Sequence, residues 1–279
     1  FYNGQVEDIQ GLEIQEGDIR NREEMEEKFS DVDIIMHLAA ISGVDDCEEN
    51  QDLAFEVNVK GTSNIAYICR KYEIPLIFPM SMAVIGDPEN FPITADNPRK
   101  PLNWYGRTKT LNEQTINTMA EGSFPAHIYM KSNLYGSHEI DGTEVGKGTV
   151  INYFISRAEK EEPLTVYKPG TQARDFIHVK DVAKAYLQSM KVLLDSEETG
   201  ATTLPIASGK STSVMNVAEK VQQAFEEEKD FRPEIKLVDN PRDAEALNDN
   251  FDVDVSKTIN RIGFAMKQDI EKNIAREIV

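Results

Sequence analysis

The sequence predicts an α/β protein: a doubly wound parallel sheet with a smaller α+β lobe interleaved in its second half. Three observations predict it. The runs Asp33–Ala40 and Pro75–Phe78 are of strand length and almost continuously apolar, the mark of strands buried on both faces. Residues 51–72 and Tyr105 to about Met119 read as helices, so strands alternate with segments long enough to cross over the sheet. From about residue 137 that alternation loosens into loops, isolated strands and capped helices.

Taken in order, Leu12–Ile14 predicts a short strand, and Asn21–Phe29 a short amphipathic helix with Met25 and Phe29 on its one apolar face. The Asp33–Ala40 strand follows. Helical spacing of Leu53, Ala54, Val57, Ile65, Ile68 and Cys69 predicts the helix over 51–72. Pro75–Phe78 is the next buried strand, and His127–Met130 another after the Tyr105 helix. An acidic, Gly-rich loop, His138–Gly148, leads into a helix over Val150–Lys160. A strand at Leu164–Tyr167, the segment Arg174–Met190, a Ser-capped helix over Val214–Glu228 and a mixed tail complete the chain.

Composition narrows the function. With 49 acids against 30 bases the formal charge is −19, and no basic stripe interrupts it, so nucleic-acid binding is disfavoured. Such acidity serves solubility or adaptation to a salty cytoplasm. No run of eighteen or more apolar residues spans a membrane, and no leader peptide is visible after Phe1. Cys47 and Cys69 form no Cys-x-x-Cys, which argues against a disulfide scaffold and against structural zinc; no metal is expected, and the compartment expected is reducing cytoplasm.

The chemistry is carried by Tyr105 and Lys109, four residues apart and so on one helix face, read with Ser81 at the end of a strand. The ammonium can hold the phenol partly ionised, and the Ser can share its proton, which is what hydride transfer between a hydroxyl and a carbonyl needs. Tyr67 and Lys71 repeat the spacing at the end of a helix with no such Ser, and read as a surface pair.

In order along the chain stand Gly17-Asp18-Ile19, His37-Leu-Ala-Ala40, Asn58-Val-Lys-Gly-Thr62, Ser81 before Val84-x-Gly86, Tyr105-x-x-x-Lys109, Asn133-x-Tyr-Gly136 and Arg174-Asp-Phe-Ile-His-Val179. With these landmarks the chain resembles the extended short-chain dehydrogenase/reductases, specifically the NAD-dependent epimerase/dehydratase family acting on nucleotide sugars. The resemblance implies a Rossmann-like NAD-binding domain over residues 1–136 with about 171–205. It implies a substrate-binding lobe over 137–170 and 206–279. No Gly-rich pyrophosphate turn precedes Gly17, so the sequence reads as lacking the first βαβ portion of that domain.

The resemblance also assigns roles. Asp18 would accept from the adenine amino group with Ile19 against the ring, although an acid there also suits a turn or N-cap. Leu38, Ala39 and Ala40 would let the backbone approach the cofactor, or simply allow tight packing. Asn58 sits mid-helix, where Asn is unfavourable, at a position the family uses beside the cofactor. Tyr105 would be the base, its usual pKa of about 10 brought down by Lys109 and oxidised nicotinamide. Ser81 would stabilise charge on the same sugar oxygen, and Lys109 would also hold the nicotinamide ribose. Asn133, Thr149 and Val150 match positions holding nucleotide and sugar; Arg174 and Arg242 match arginines that clamp the diphosphate. His37 and His178 read as packing or hydrogen-bonded residues.

Several positions depart from the family pattern: Ile85 replaces a Tyr, Met130 an Arg with Lys131 beside it, and Pro205 an Asn. Where 4,6-dehydratases place an Asp-Glu pair after the Ser, this chain has Met82-Ala83, which disfavours dehydration. The expectation is therefore a 4-epimerase of the UDP-glucose/UDP-galactose type, a homodimer through the helices near 51–72 and 105–120, with bound NAD and a nucleotide-diphosphate sugar substrate. The alternatives are an NAD(P)-dependent nucleotide-sugar reductase or dehydrogenase, and a non-catalytic member of the fold.

Overall fold

The computed structural model describes residues 13–140, 143–146, 148–241 and 246–278. In chain order its strands are Ile35–Met36 (β1), Leu76–Ser81 (β2), Pro125–Lys131 (β3), Asn133–Tyr135 (β4), His138–Ile140 (β5), Thr143–Val145 (β6), Leu164–Tyr167 (β7), Ala173–His178 (β8), Gly200–Ile206 (β9), Ser211–Ser213 (β10) and Ile235–Val238 (β11). Its α-helices are Arg22–Phe29 (α1), Val44–Glu49 (α2), Gln51–Ala54 (α3), Thr62–Tyr72 (α4), Trp104–Ala120 (α5), Val150–Glu159 (α6), Val179–Leu194 (α7), Val214–Lys229 (α8), Ser256–Ile262 (α9) and Ile270–Ile278 (α10).

The strands β1, β2, β3 and β9 pair in that order, all parallel, which requires crossovers and explains the helices between them. The side-chain period of two sorts the sheet's residues. Phe78 and Met80 join Ile128 and Met130 in one buried cluster with Ile65, Ile68 and Ile116 of α4 and α5. Ile77 and Tyr129 join Val182, Ala185 and Tyr186 of α7 in another. A third cluster stands apart from the sheet, where Phe154, Leu164, Val221 and Ile274 bring α6, β7, α8 and α10 together. Fully buried residues such as Phe78 and Ile128 each contribute about 1.5–3 kcal/mol over exposure.

The second half holds smaller sheets. Strand β8 pairs parallel with β4 and antiparallel with β10, β11 pairs parallel with β7, and β5 pairs antiparallel with β6. The β5–β6 pairing lies inside the span read as a loop; its strands are three residues each, too short for an alternation to be visible. The Ser-capped helix is present as α8, with the Ser213 hydroxyl accepting from the Asn216 N–H at 3.1 Å.

Three expectations change. Glu13 and Ile14 form no strand, since neither pairs with another strand among the described residues; Leu12 lies outside those residues. The Asp33–Ala40 run gives only the two-residue β1, and one face is open: Ile35 and His37 are buried, while Met36 and Leu38 are exposed. The reason is position, because β1 ends the sheet order and lacks a neighbour on its outer edge among the described residues. The helix over 51–72 is interrupted, with α3 passing through π-helical Phe55–Gly61 into α4. That wider turn carries the buried Asn58, an example of irregular helix at a candidate site.

Candidate active site

The parallel register places Ser81 opposite Lys131, both at the C-terminal ends of their strands, the end where open α/β sheets hold ligands. There β2 breaks into a single 3-10 turn, Met82–Val84, because the Ser81 hydroxyl accepts from the Ala83 N–H at 3.2 Å. Asn103 caps α5 by accepting from the Gly106 N–H at 2.9 Å, and so starts the helix one residue before Tyr105. Gly106 is needed for the approach: a Cβ there would lie 2.6 Å from the Ala83 carbonyl oxygen. Helix and strand end thus meet, which brings the Ser81 side chain beside the Tyr105 phenol.

Tyr105 and Lys109 line a cavity of about 550 Å³ together with Leu38, Ala40, Pro79 and Lys131. Lys109 is only 4% exposed. Its Nζ donates to the Pro79 carbonyl at 3.4 Å and lies 4.9 Å from the Phe78 ring centroid and 5.9 Å from that of Tyr105. Burial, reinforced by the nearby Lys131 charge, brings its pKa down to about 7. Burial likewise pushes the Tyr105 phenol up to about 12, against the opposing influence of the nearby Ser81 hydroxyl. The expected partial ionisation of the phenol by Lys109 is therefore not what the protein alone sets up. Desolvation outweighs the attraction, because the ammonium is turned to a carbonyl oxygen and the ring faces.

A stability consequence follows. Between pH 7 and 10.5 the unfolded chain holds the Lys109 proton and the folded chain does not, so stability from this residue rises with pH across that window. Lys109→Met should stabilise the ligand-free chain by about 1–3 kcal/mol more near pH 6 than near pH 9.5. Urea midpoints of the two proteins at both pH values check this; a gain that does not change with pH contradicts it.

The remaining candidates separate into groups. Asn58 is fully buried and bridges three elements: its Oδ1 accepts from the Ile41 N–H at 2.9 Å, and its Nδ2 donates to Ile41 O at 3.0 Å and Thr108 Oγ1 at 3.2 Å. It fixes the loop after β1 against the helix bearing Tyr105. Asp18 is gripped by Arg20, whose Nε lies 2.9 Å from one carboxylate oxygen, and its pKa falls to about 2 through those bonds. Ile19 turns inward, its Cδ1 2.5 Å from where a Cβ on Gly61 would stand. Leu38 and Ala40 reach the cavity; Ala39 is exposed and is not part of its lining.

On the substrate side, Asn133 is exposed, and its Nδ2 donates to Asp175 O at 3.4 Å. Thr149 stands at the N-cap of α6 with a buried hydroxyl that has no partner, and Val150 beside it is exposed. Arg174 donates to the carbonyls of Ala173 and Ala246 at 2.7 and 2.8 Å. Arg242 lies outside the described residues. His37 bonds Thr62 Oγ1 at 2.9 Å, and His178 caps α7 by accepting from the Lys180 N–H, so both imidazoles serve the fold. Tyr67 and Lys71 do the same: Arg22 lies over the Tyr67 ring and Lys71 pairs with Glu26, tying α4 to α1.

Two features had no signal in the motifs. Tyr186 of α7 lines the cavity with a buried hydroxyl that has no partner. Glu113, one turn beyond Lys109, is buried in a two-bond ion pair with Arg99 at 2.7 Å and also accepts from Thr203. Helical spacing from Lys109 would have found Glu113; Tyr186 reads as an ordinary core position of an amphipathic helix.

With this geometry described, the profile of the NAD dependent epimerase/dehydratase family matches residues 2–199. The chain belongs to that family. A Methanocaldococcus jannaschii relative named "Putative UDP-glucose 4-epimerase" is 31% identical over 95% of this chain and 83% of its own length. A bifunctional UDP-glucose 4-epimerase and UDP-xylose 4-epimerase from Pisum sativum is 29% identical over 77% of this chain and 66% of its own. A UDP-glucose-4-epimerase from Stenotrophomonas maltophila, solved with bound NAD and formylated UDP-arabinopyranose, superimposes with a TM-score of 0.81 over 94% of this chain and 80% of that one, at 24% identity. That likeness shows a shared Rossmann fold.

The epimerase/dehydratase family is NAD dependent, and the residues present here fit that cofactor. The cavity opens at the strand ends, its wall carries the orphaned Tyr186 hydroxyl, and small residues at 39–40 leave backbone accessible. Among the described residues, no helix is long and apolar enough to cross a membrane.

Proposed function

We propose that this chain is a 4-epimerase of UDP-hexoses, of the UDP-glucose/UDP-galactose type. The observation that carries the reading is the end of β2 at Ser81 packed against the start of the helix that bears Tyr105, at a cavity that Tyr105 shares with Lys109, with Met82-Ala83 and no acid following the Ser. When bound, NAD supplies reversible storage of the hydride taken from the sugar's C4. With the positive charge of oxidised nicotinamide beside it, Tyr105 would be the phenolate whose Oη accepts the C4 hydroxyl proton and gives it back in the reverse transfer. The Ser81 hydroxyl bonds the same sugar oxygen and stabilises the charge developing there. Lys109, held by Pro79 O, is placed to bond the nicotinamide ribose. Asp18, Ile19, Leu38, Ala39, Ala40 and Asn58 serve the cofactor side, and Asn133, Thr149, Val150, Arg174 and Arg242 the nucleotide sugar.

Residues 1–136 with about 171–205 form the NAD-binding domain in this reading, and 137–170 with 206–279 the substrate lobe. Two chains pair through the helices near 51–72 and 105–120, where Phe55, Tyr72 and Leu111 are exposed. The test is conversion of UDP-galactose to UDP-glucose followed with absorbance at the NADH band. Conversion without NADH accumulation is expected. Net NADH formation would indicate a dehydrogenase, and no conversion by protein carrying NAD would overturn the reading.

A further inference from the structure

Helix α5 begins one residue before Tyr105, so whatever fixes its first turn also aims the phenol. The first N–H groups of an α-helix have no partner within the helix. Asn103 takes that of Gly106, and a second acceptor reaches over from α2: the Glu48 carboxylate accepts from the Trp104 N–H at 2.7 Å. A carboxylate suits that place, because it also faces the positive end of the helix dipole. The Trp104 indole returns the contact, its Nε1 donating to the Gln51 carbonyl at 3.0 Å. Neither α2, of six residues, nor α3, of four, is long enough to hold itself, and neither has a side-chain cap. The chain enters α2 through Gly43 at a φ of 123°, a conformation that a side chain would strain. Ties to α5 come at both ends of this segment: Asn58 joins Ile41 to Thr108, and Trp104 joins Glu48 and Gln51. Ala40 and Ser42, at its start, line the same cavity as Tyr105.

We infer that Glu48 and Trp104 are positioning residues for the proton and hydride transfer, a clasp that holds Tyr105 in register with the cavity wall at Ala40 and Ser42. The inference rests on the epimerase reading. Neither residue lines the cavity, so both act through Tyr105. Such transfers are sensitive to placement, and a shift of about 1 Å can cost about 10²-fold in rate. Without Glu48 the first turn of α5 keeps the Asn103 cap but loses its tie to α2, which is then free to turn about Gly43. Binding is spread over the whole cavity and feels that loosening less than the transfer does. Gln in place of Glu48 keeps an oxygen that accepts the same N–H, whereas Ala does not.

Trp104 is the only tryptophan of the chain, so its emission reports the clasp directly. The experiment pairs that emission, and its quenching by acrylamide, with steady-state turnover of UDP-galactose by the NAD-loaded protein. In Glu48→Ala the emission should move to longer wavelength and quench more readily, kcat should fall about tenfold, and KM should change less than about twofold. Glu48→Gln should restore both emission and kcat. Trp104→Phe, which keeps a ring but not the indole N–H, should lower kcat in the same way. An unchanged emission in Glu48→Ala would overturn the clasp, and so would a freed Trp104 with kcat unaltered, or a loss carried by KM alone. A Glu48→Gln protein as slow as Glu48→Ala would overturn the hydrogen bond as the cause. Failure of the unaltered protein to convert any UDP-hexose would remove the epimerase reading alone, since the emission of the variants still decides the clasp.

Discussion

Tyr105→Phe should lower the rate of epimer interconversion by about 10²–10⁴-fold, the usual contribution of a positioned proton-transfer group. The substitution keeps the ring and removes only the hydroxyl. Its local cost is small, because the Ser81 hydroxyl still accepts from Ala83 N–H and so keeps the turn at the end of β2. The variant should therefore fold with nearly unchanged urea resistance while losing turnover. Because the phenol is held at about 12 by burial, its charge in the ligand-free protein stays fixed from pH 6 to 9, where Lys109 titrates at about 7. Near-normal turnover in a folded Tyr105→Phe protein would dismiss Tyr105 as the base. The Tyr67→Phe variant is the control, since its ring packs under Arg22, away from the cavity.

Fold class and the main catalytic candidates were legible because both rest on short-range patterns. A continuous apolar run marked β2, His127–Met130 marked β3, and the Asn103 cap before Tyr105 fits a helix start. What was not legible depended on neighbours distant in sequence. Whether Asp33–Ala40 would be buried on both faces depends on what lies along the outer edge of β1, which the run itself does not state. The charge state of Tyr105 depends on where the Lys109 ammonium points, and a spacing of four residues fixes only the helix face. Lys131 and Tyr186 come from β3 and α7, and only the sheet register and the packing of α7 bring them to one cavity. The same holds for Arg99, fourteen residues from Glu113 across an irregular segment.

That pair supports the second large effect. Arg99→Ala should destabilise the protein by about 3–5 kcal/mol, the cost of leaving a buried charge without its partner. The Glu113 side chain is 7% exposed and would keep only the Thr203 hydroxyl, at 2.9 Å. Arg99 also holds the carbonyls of Ala95 and Asn97, so its loss frees the segment that leads into the Asn103 cap. Truncation at Glu113 alone strands the guanidinium instead. Removing both partners, as Arg99→Met with Glu113→Leu, should cost clearly less than the two single losses added together, since an apolar pair of similar volume leaves no buried charge behind. Urea unfolding of the single and double variants measures that coupling, and additive losses would mean that the two residues stabilise the protein separately. The coupling also reaches the chemistry. Glu113 lies one helical turn from Lys109, so a loosened segment before α5 should reduce kcat more than it raises KM, with the double variant recovering stability but not the whole of kcat.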